Sequence, residues 1–137
     1  MNATSEAAPP YRRVGRRYEL TRDIVFQTDR FGPVVLTRGY RSNGSSSPLP
    51  DSHRSRMAAF LHDALYAASG HLRFPGGHDR TWSRADADAA YCAQLLKLGV
   101  AAFRRRTNCT GAHRFGARTW DRLAAKRDRR WKRWDFR

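Results

Sequence analysis

The segment "MAAFLHDALYAASG" (residues 57–70) has helical apolar spacing, yet it carries His62, Asp63 and Tyr66 in its middle. At about 100° per residue, apolar side chains cover two opposite sides of the predicted helix. These side chains are Ala58, Leu61 and Leu65 on one side and Met57, Phe60 and Ala64 on the other. The three polar side chains share the remaining sector with Ala59. A helix that is apolar on most sides is buried on most sides, so its polar sector must face partners, a cleft or solvent.

A second helix supplies a partner for this sector. Ser83 and Asp86 have the spacing of a capping box, which predicts a helix that begins there and ends near Gly99. One stripe of this helix contains Arg84, Asp88, Tyr91, Leu95 and Leu98. An acid on a core-facing stripe needs a partner, and His62 on a facing helix is a suitable one. The contact fits a structural network, and it also fits a dyad, which is rarer and leaves one ring nitrogen of His62 free as a base.

The remaining patterns predict an α+β fold: a small antiparallel β-hairpin or sheet packed on a bundle of three to four helices, the last of them basic. Alternating apolar residues in 17–26, followed by "PVVLTRGY" (33–40), predict the hairpin. Breakers in 41–52 and glycines in 70–82 predict two loops. The segments after Gly99 read as helical.

The length of 137 residues suits one domain. Residues 1–16 are small and polar and then basic, which predicts a flexible basic N-terminal arm. Residues 17–120 form the predicted globular domain. Residues 121–137 form a basic extension rich in tryptophan and arginine.

The charge indicates a polyanionic partner. Twenty-seven Lys and Arg against twelve Asp and Glu give +15 and a pI near 11.3. Nucleic acid, an anionic membrane and an acidic protein are all attracted to such a surface. The candidate residues for this binding are Arg104, Arg105, Arg106, Lys126, Arg127, Arg129, Arg130, Lys132 and Arg133.

The end of the chain leaves three interpretations open. One helical stripe there contains Trp120, Ala124, Arg127, Trp131 and Trp134. The stripe fits a helix that docks its tryptophans on the core, a nucleic-acid arm, or an interfacial membrane helix. No motif that reads RNA or DNA sequence is present, so sequence-specific recognition is not indicated.

The cysteines and the N-terminus bear on the cellular compartment. Cys92 and Cys109 lack the spacing of a zinc site. A disulfide between them is conceivable, but Cys92 lies on a predicted helix, which favours a small buried thiol. No apolar run reaches the roughly 20 residues of a transmembrane helix, and residues 1–17 lack the apolar region of a secretory signal. We therefore expect a soluble protein in a reducing compartment or within a particle.

Ordered sequence blocks resemble a family of small uncharacterised proteins found mainly in phages and prophages (domain of unknown function 1353). The blocks are "GYRSNGSSSP" (39–48), "AAFLHDALY" (58–66), "RADADAAY" (84–91), and "LGV" (98–100) with "RFGARTW" (114–120). Asn43 stands where the family has an acid, and Ser45 and Ser47 replace small apolar residues. The resemblance covers roughly residues 17–120. It implies a phage- or virus-associated protein in a virion or host cytoplasm, with other virion or assembly proteins as possible partners.

A more distant similarity is to secreted and parvoviral phospholipases A2, which carry H-D-x-x-Y on one helix and an Asp on an antiparallel one. By that resemblance, His62, Asp88 and Tyr66 are the catalytic residues, and Asp63 with Asn43 and Gly44 of the preceding loop would bind Ca²⁺. The glycine-rich calcium loop of those enzymes is not matched. The resemblance implies a hydrolase of lipid esters. The alternative is a non-enzymatic basic component of a virion or ribonucleoprotein that binds nucleic acid or an acidic partner.

Overall fold

The computed structural model describes residues 8–44, 52–77 and 82–131, with side chains described as far as Ala124. Their strands and helices follow one another as β1 (Tyr11–Val14), β2 (Arg17–Leu20), β3 (Ile24–Thr28), β4 (Gly32–Leu36), β5 (Arg41–Ser42), α1 (His53–Ala67), β6 (Leu72–Arg73), α2 (Arg84–Lys97) and α3 (Ala102–Trp131). The fold is α+β, as predicted, with two small antiparallel sheets and three helices in the part of the chain described.

The strands form two sheets of three strands, in the orders β1-β2-β5 and β3-β4-β6. The predicted hairpin is present as β3 and β4, in which Phe26 lies opposite Val34. Residues 17–26, however, are divided between the two sheets, because the chain bends at residues 21–22. The side chain of Asp23 holds this corner by accepting a hydrogen bond from the backbone N–H of Arg38 at 2.8 Å.

The structure adds detail at both ends of the predicted domain. Tyr11–Val14 pair with β2 and are not part of an arm, because Tyr11 is buried and its hydroxyl lies 2.7 Å from Nδ1 of His53. At the other end, α3 continues through the predicted boundary after Trp120. No proline interrupts residues 102–131, so the two predicted helical segments form one helix.

Capping boxes fix the starts of α1 and α2. Ser52 and Ser55 cap α1, which begins at His53. The predicted box of α2 is present: Ser83 Oγ accepts from the N–H of Asp86 at 3.1 Å, and Asp86 Oδ2 accepts from the N–H of Ser83 at 3.1 Å. The backbone N–H of Ser83 is the main reason that the pKa of Asp86 lies below its usual value.

Helix α1 is the centre of the core and is buried on most of its circumference, as its apolar pattern predicts. One cluster joins α1 to the sheets, with Phe60, Leu61 and Leu65 against residues such as Val34 and Leu36. A second cluster joins α1 to α2 and α3; its buried members are Ala58, Tyr91, Leu95 and Val100. The polar sector of α1 therefore faces other elements of the fold.

A disulfide between Cys92 and Cys109 joins α2 to α3, with their Cα atoms 5.7 Å apart. The prediction of a buried thiol at Cys92 is therefore wrong. Helix α3 packs along α2 and brings Cys109 opposite Cys92, a juxtaposition that the spacing of the two residues in the sequence does not reveal.

Candidate functional site

The carboxylate of Asp88 is the centre of the candidate site. Its side chain is fully buried between α1 and α2. One oxygen, Oδ1, lies 2.8 Å from Nε2 of His62 and accepts a hydrogen bond from the hydroxyl of Tyr66 at 2.6 Å. The contact predicted between the polar sector of α1 and the acid of α2 is present.

The other oxygen of Asp88, Oδ2, faces two residues that the sequence does not identify as site residues. Arg84 donates to it at 3.2 Å, and Nδ1 of His113 lies 3.6 Å away. The same Arg84 nitrogen donates to the carbonyl oxygens of Ala112 at 3.3 Å and His113 at 3.1 Å. Arg84 therefore ties α3 to the carboxylate. Its spacing of four residues from Asp88 was a usable signal, whereas no pattern points to His113.

These contacts keep Asp88 ionised. Burial alone raises the pKa of Asp88, but hydrogen bonds from His62 and Tyr66, together with the charge of Arg84, hold it below its usual value. Because an ionised carboxylate only accepts hydrogen bonds, Nε2 of His62 carries a proton in this contact. In the neutral ring, Nδ1 is then the nitrogen with the lone pair.

The ring of His62 lies between two phenol rings and reaches the surface. Its centroid is 4.4 Å from that of Tyr66 and 4.5 Å from that of Tyr91. The side chain is 16% exposed. Among the described residues, the bond from Nε2 to Asp88 is the one hydrogen bond of this side chain. Nδ1 is therefore available to a water molecule or a substrate.

Helix α3 covers Tyr66 at a glycine. A Cβ atom on Gly116 would overlap the Tyr66 hydroxyl, and Arg84 also lies close to this position. The rings of Trp120 and Tyr66 pack edge to face, with centroids 5.2 Å apart. Burial is the main cause that raises the pKa of Tyr66 well above its usual value, and the Asp88 carboxylate adds to it. The phenol therefore stays neutral and donates to Asp88.

The predicted metal residues lie where the polar sector of α1 meets strand β5. Asp63 Oδ2 accepts a hydrogen bond from the hydroxyl of Ser42 at 2.5 Å, and the Ser42 hydroxyl accepts from the N–H of Gly44 at 3.1 Å. Gly44 is buried and Asn43 is exposed. The loop that contains Asn43 and Gly44 therefore approaches Asp63 through Ser42. The sequence analysis does not identify Ser42 as a site residue.

The described residues at Asp63 do not make a calcium site by themselves. Calcium takes six to eight oxygen ligands, often from several carboxylates. Here one carboxylate is present, and its Oδ2 already accepts the Ser42 hydroxyl. Across the described ranges, no group of three or more His, Cys, Asp or Glu side chains is placed to hold a metal ion.

The predicted anion-binding residues fall partly on α3. Arg106 is exposed, Arg104 is half-buried, and Arg105 donates to the carbonyl oxygen of Val100 at 3.3 Å. The side chains of Lys126, Arg127, Arg129 and Arg130, and all of Lys132 and Arg133, lie outside the described part. Trp120 docks on the core, as one of the three interpretations predicts; the side chain of Trp131 and all of Trp134 lie outside that part too.

Comparisons with known proteins leave the two sequence resemblances as predictions. No family model, curated protein or solved structure matches the chain. Within the described residues, no helix combines the length and the apolar character needed to cross a bilayer.

Proposed function

We propose that this protein is a hydrolase of lipid esters with a phospholipase A2-like site, in which His62 is the general base. The observation that carries the proposal is the state of the His62 ring. Nε2 is bound to the fully buried Asp88 at 2.8 Å, while Nδ1 has no hydrogen bond among the described residues and the side chain reaches the surface. A base needs this combination of a fixed ring and a free nitrogen.

The reaction that this arrangement supports requires two proton transfers. Nδ1 of His62 takes a proton from a water molecule as the water oxygen forms a bond to the ester carbonyl carbon. The bond from that carbon to the alcohol oxygen then breaks, and the imidazolium returns the proton to the departing oxygen. The products are a carboxylic acid and an alcohol. The Asp88 carboxylate stabilises the imidazolium formed between the two steps.

The three residues predicted as catalytic have different roles in this proposal. His62 meets the reacting water, whereas Asp88 and Tyr66 are positioning residues. Tyr66 donates to the Asp88 oxygen that binds the ring, and Arg84 donates to the other oxygen. With both oxygens bound, the carboxylate has a fixed orientation and so does the ring that it holds.

The motifs of both resemblances support the proposal because they meet at this site. His62 and Tyr66 of the H-D-x-x-Y segment contact Asp88 of the second motif, and Tyr91 of that motif lies against the His62 ring. By the resemblance to the phage-associated family, the protein would act in a virion or a host cytoplasm. By the resemblance to phospholipases A2, Asp63 would bind Ca²⁺, so the activity assay is run both with calcium and without it.

The test is the release of fatty acid from anionic phospholipid vesicles, with calcium and with a chelator. His62→Gln keeps a side chain that can donate to Asp88 but removes the base, so we expect a loss of at least about 10²-fold. His71→Gln is the matched control, because His71 bonds to Thr37 at 2.8 Å in another part of the fold, and it should keep full activity. If the wild-type protein and His62→Gln are equally inert under both conditions, the enzyme proposal fails.

A further inference from the structure

Helix α3 has an inward half that packs on the core and an outward half that carries charge. The inward residues include Cys109, Ala112, Gly116, Trp120 and Leu123. The outward residues, all exposed, are Phe103, Arg106, Arg114, Phe115, Arg118 and Arg122. At about 100° per residue, the outward set occupies a sector of roughly 180°. From Phe103 to Arg122 this face is about 28 Å long. We call these six residues the outward face of α3.

Within the described part of the chain, the arginines of the outward face have no charged partner. Among the described residues, none of the four forms an ion pair or a side-chain hydrogen bond. Arg12 and Arg41 differ from them, because each pairs with Glu19 at 2.9 Å. Between residues 102 and 124 the sequence contains one acid, Asp121. The positive charge of the face is therefore available to a ligand with several negative charges.

Two phenylalanines on the same face are exposed to an unusual degree. Phe103 is 73% exposed and Phe115 is 76% exposed. Aromatic side chains are normally buried, so two of them beside uncompensated arginines suggest a ligand with flat rings. Bases of a single strand stack on such side chains without regard to sequence, and arginines neutralise the phosphates between them.

The arrangement of this face disfavours a lipid surface. An interfacial helix inserts a continuous apolar face into the membrane. The apolar face of α3 is already packed on the core through residues such as Trp120 and Leu123. Phe103 and Phe115 are separated by 12 residues, about 18 Å along the helix, and charged arginines lie between them.

We propose that the outward face of α3 binds single-stranded nucleic acid without sequence preference. Its arginines contact phosphates, and Phe103 and Phe115 stack on bases. This binding is separate from the proposed hydrolase and does not depend on it. The residues involved are on the opposite half of α3 from Gly116, which covers Tyr66 at the candidate site.

The test uses the full chain and a fluorescently labelled oligothymidine of about 20 nucleotides, with anisotropy measured at about 50 and about 200 mM salt. The first variant combines Arg106→Gln, Arg114→Gln and Arg118→Gln. Its matched control combines Arg22→Gln, Arg38→Gln and Arg73→Gln, three exposed arginines of the sheets and their connections. Both variants lose the same charge. We expect the α3 variant to bind at least tenfold more weakly, while the control keeps most of its affinity. The salt slope, which is the slope of log affinity against log salt concentration, should fall in magnitude by about 2 in the α3 variant.

A second variant separates stacking from charge. Phe103→Ala with Phe115→Ala should weaken binding by about fivefold or more and leave the salt slope unchanged. All substituted side chains are exposed, so the fold should persist, and circular dichroism checks this.

Three results would overturn the proposal. One is no binding at low salt, and another is an equal loss of affinity in the sheet control. The third is binding to anionic vesicles without binding to the oligonucleotide. His62→Gln should bind the oligonucleotide as the wild type does, so a failure of the hydrolase proposal leaves this test intact.

Discussion

Asp63 belongs to the polar sector of α1 and Asp88 faces this sector from α2, but the two carboxylates have different surroundings. Asp88 is fully buried and its two oxygens face side chains from all three helices. Asp63 is half-buried and accepts a hydrogen bond from Ser42 of the two-residue strand β5. The network around Asp88 is therefore part of the packing of the three helices, whereas Asp63 is held by the short strand β5 that precedes α1. The predictions below test that difference.

The largest effect is expected from removing the charge of Asp88. Asp88→Asn leaves Arg84 without its buried anion and replaces one of the two acceptor oxygens by an NH₂ donor, so we expect the free energy of unfolding in urea to fall by about 3 kcal/mol. Asp63→Asn is the comparison variant and should cost about 1 kcal/mol, because the group is half-buried and its bond from Ser42 becomes a neutral one. Equal losses would show that the two carboxylates are equally built into the fold.

The next effect concerns the close contact of α3 with Tyr66. Gly116→Ala places a methyl group onto the Tyr66 hydroxyl and should cost about 2 kcal/mol. Gly111→Ala is a matched control in the same helix, since a Cβ there meets nothing within 4 Å. It should stabilise the protein by about 0.5–1 kcal/mol, as alanine does in a helix. A neutral Gly116→Ala would mean that α3 does not close on Tyr66.

A smaller effect is expected on the Asp63 side. Ser42→Ala removes the donor to Asp63 and the acceptor of the Gly44 N–H, and should cost about 1 kcal/mol in the same urea assay. Because the Asp88 network does not include Ser42, the double variant Ser42→Ala with Gly116→Ala should show additive losses. A coupling energy above about 0.5 kcal/mol would contradict the independence of the Ser42–Asp63 contact from the Asp88 network.

The smallest effect is a pH dependence. The pKa of Asp88 is lower in the folded protein than in the unfolded chain, so its ionisation stabilises the fold above the unfolded pKa, and this stabilisation is lost as pH falls through the folded pKa. Glu19 and Asp86 have lowered pKa values too, and they contribute in the same direction. As pH falls below about 5, the free energy of unfolding of the wild type should therefore decrease more than that of Asp88→Asn. Parallel curves would show that Asp88 does not titrate in this way.

The contact between α1 and α2 could be predicted because both helices display periodic patterns. The capping box of Ser83 and the stripe through Asp88 place the acid on a buried face, and the apolar sides of α1 leave one sector for His62. Such local patterns determine element type and facing direction. They are the reason that the centre of the site can be predicted from the sequence.

The parts that could not be predicted depend on contacts between distant residues. His113 and Gly116 reach Asp88 and Tyr66 through the packing of α3, and nothing in the sequence around them specifies that packing. Strand β1 could not be predicted from the sequence for a different reason. Its centre is two exposed arginines, and its pairing depends on partners such as Glu19, which bonds Arg12 on one side and Arg41 on the other.

The most direct test of the central claim is the position of the proton on the neutral His62 ring. Two-dimensional NMR of the ring nitrogens of ¹⁵N-labelled protein, above the pH at which the ring is protonated, distinguishes protonated from unprotonated nitrogens. We predict that Nε2 carries the proton and Nδ1 does not, because Asp88 is ionised and accepts from Nε2. In Asp88→Asn the preference should weaken. A proton on Nδ1 in the wild type would contradict the assignment of His62 as a base held by Asp88.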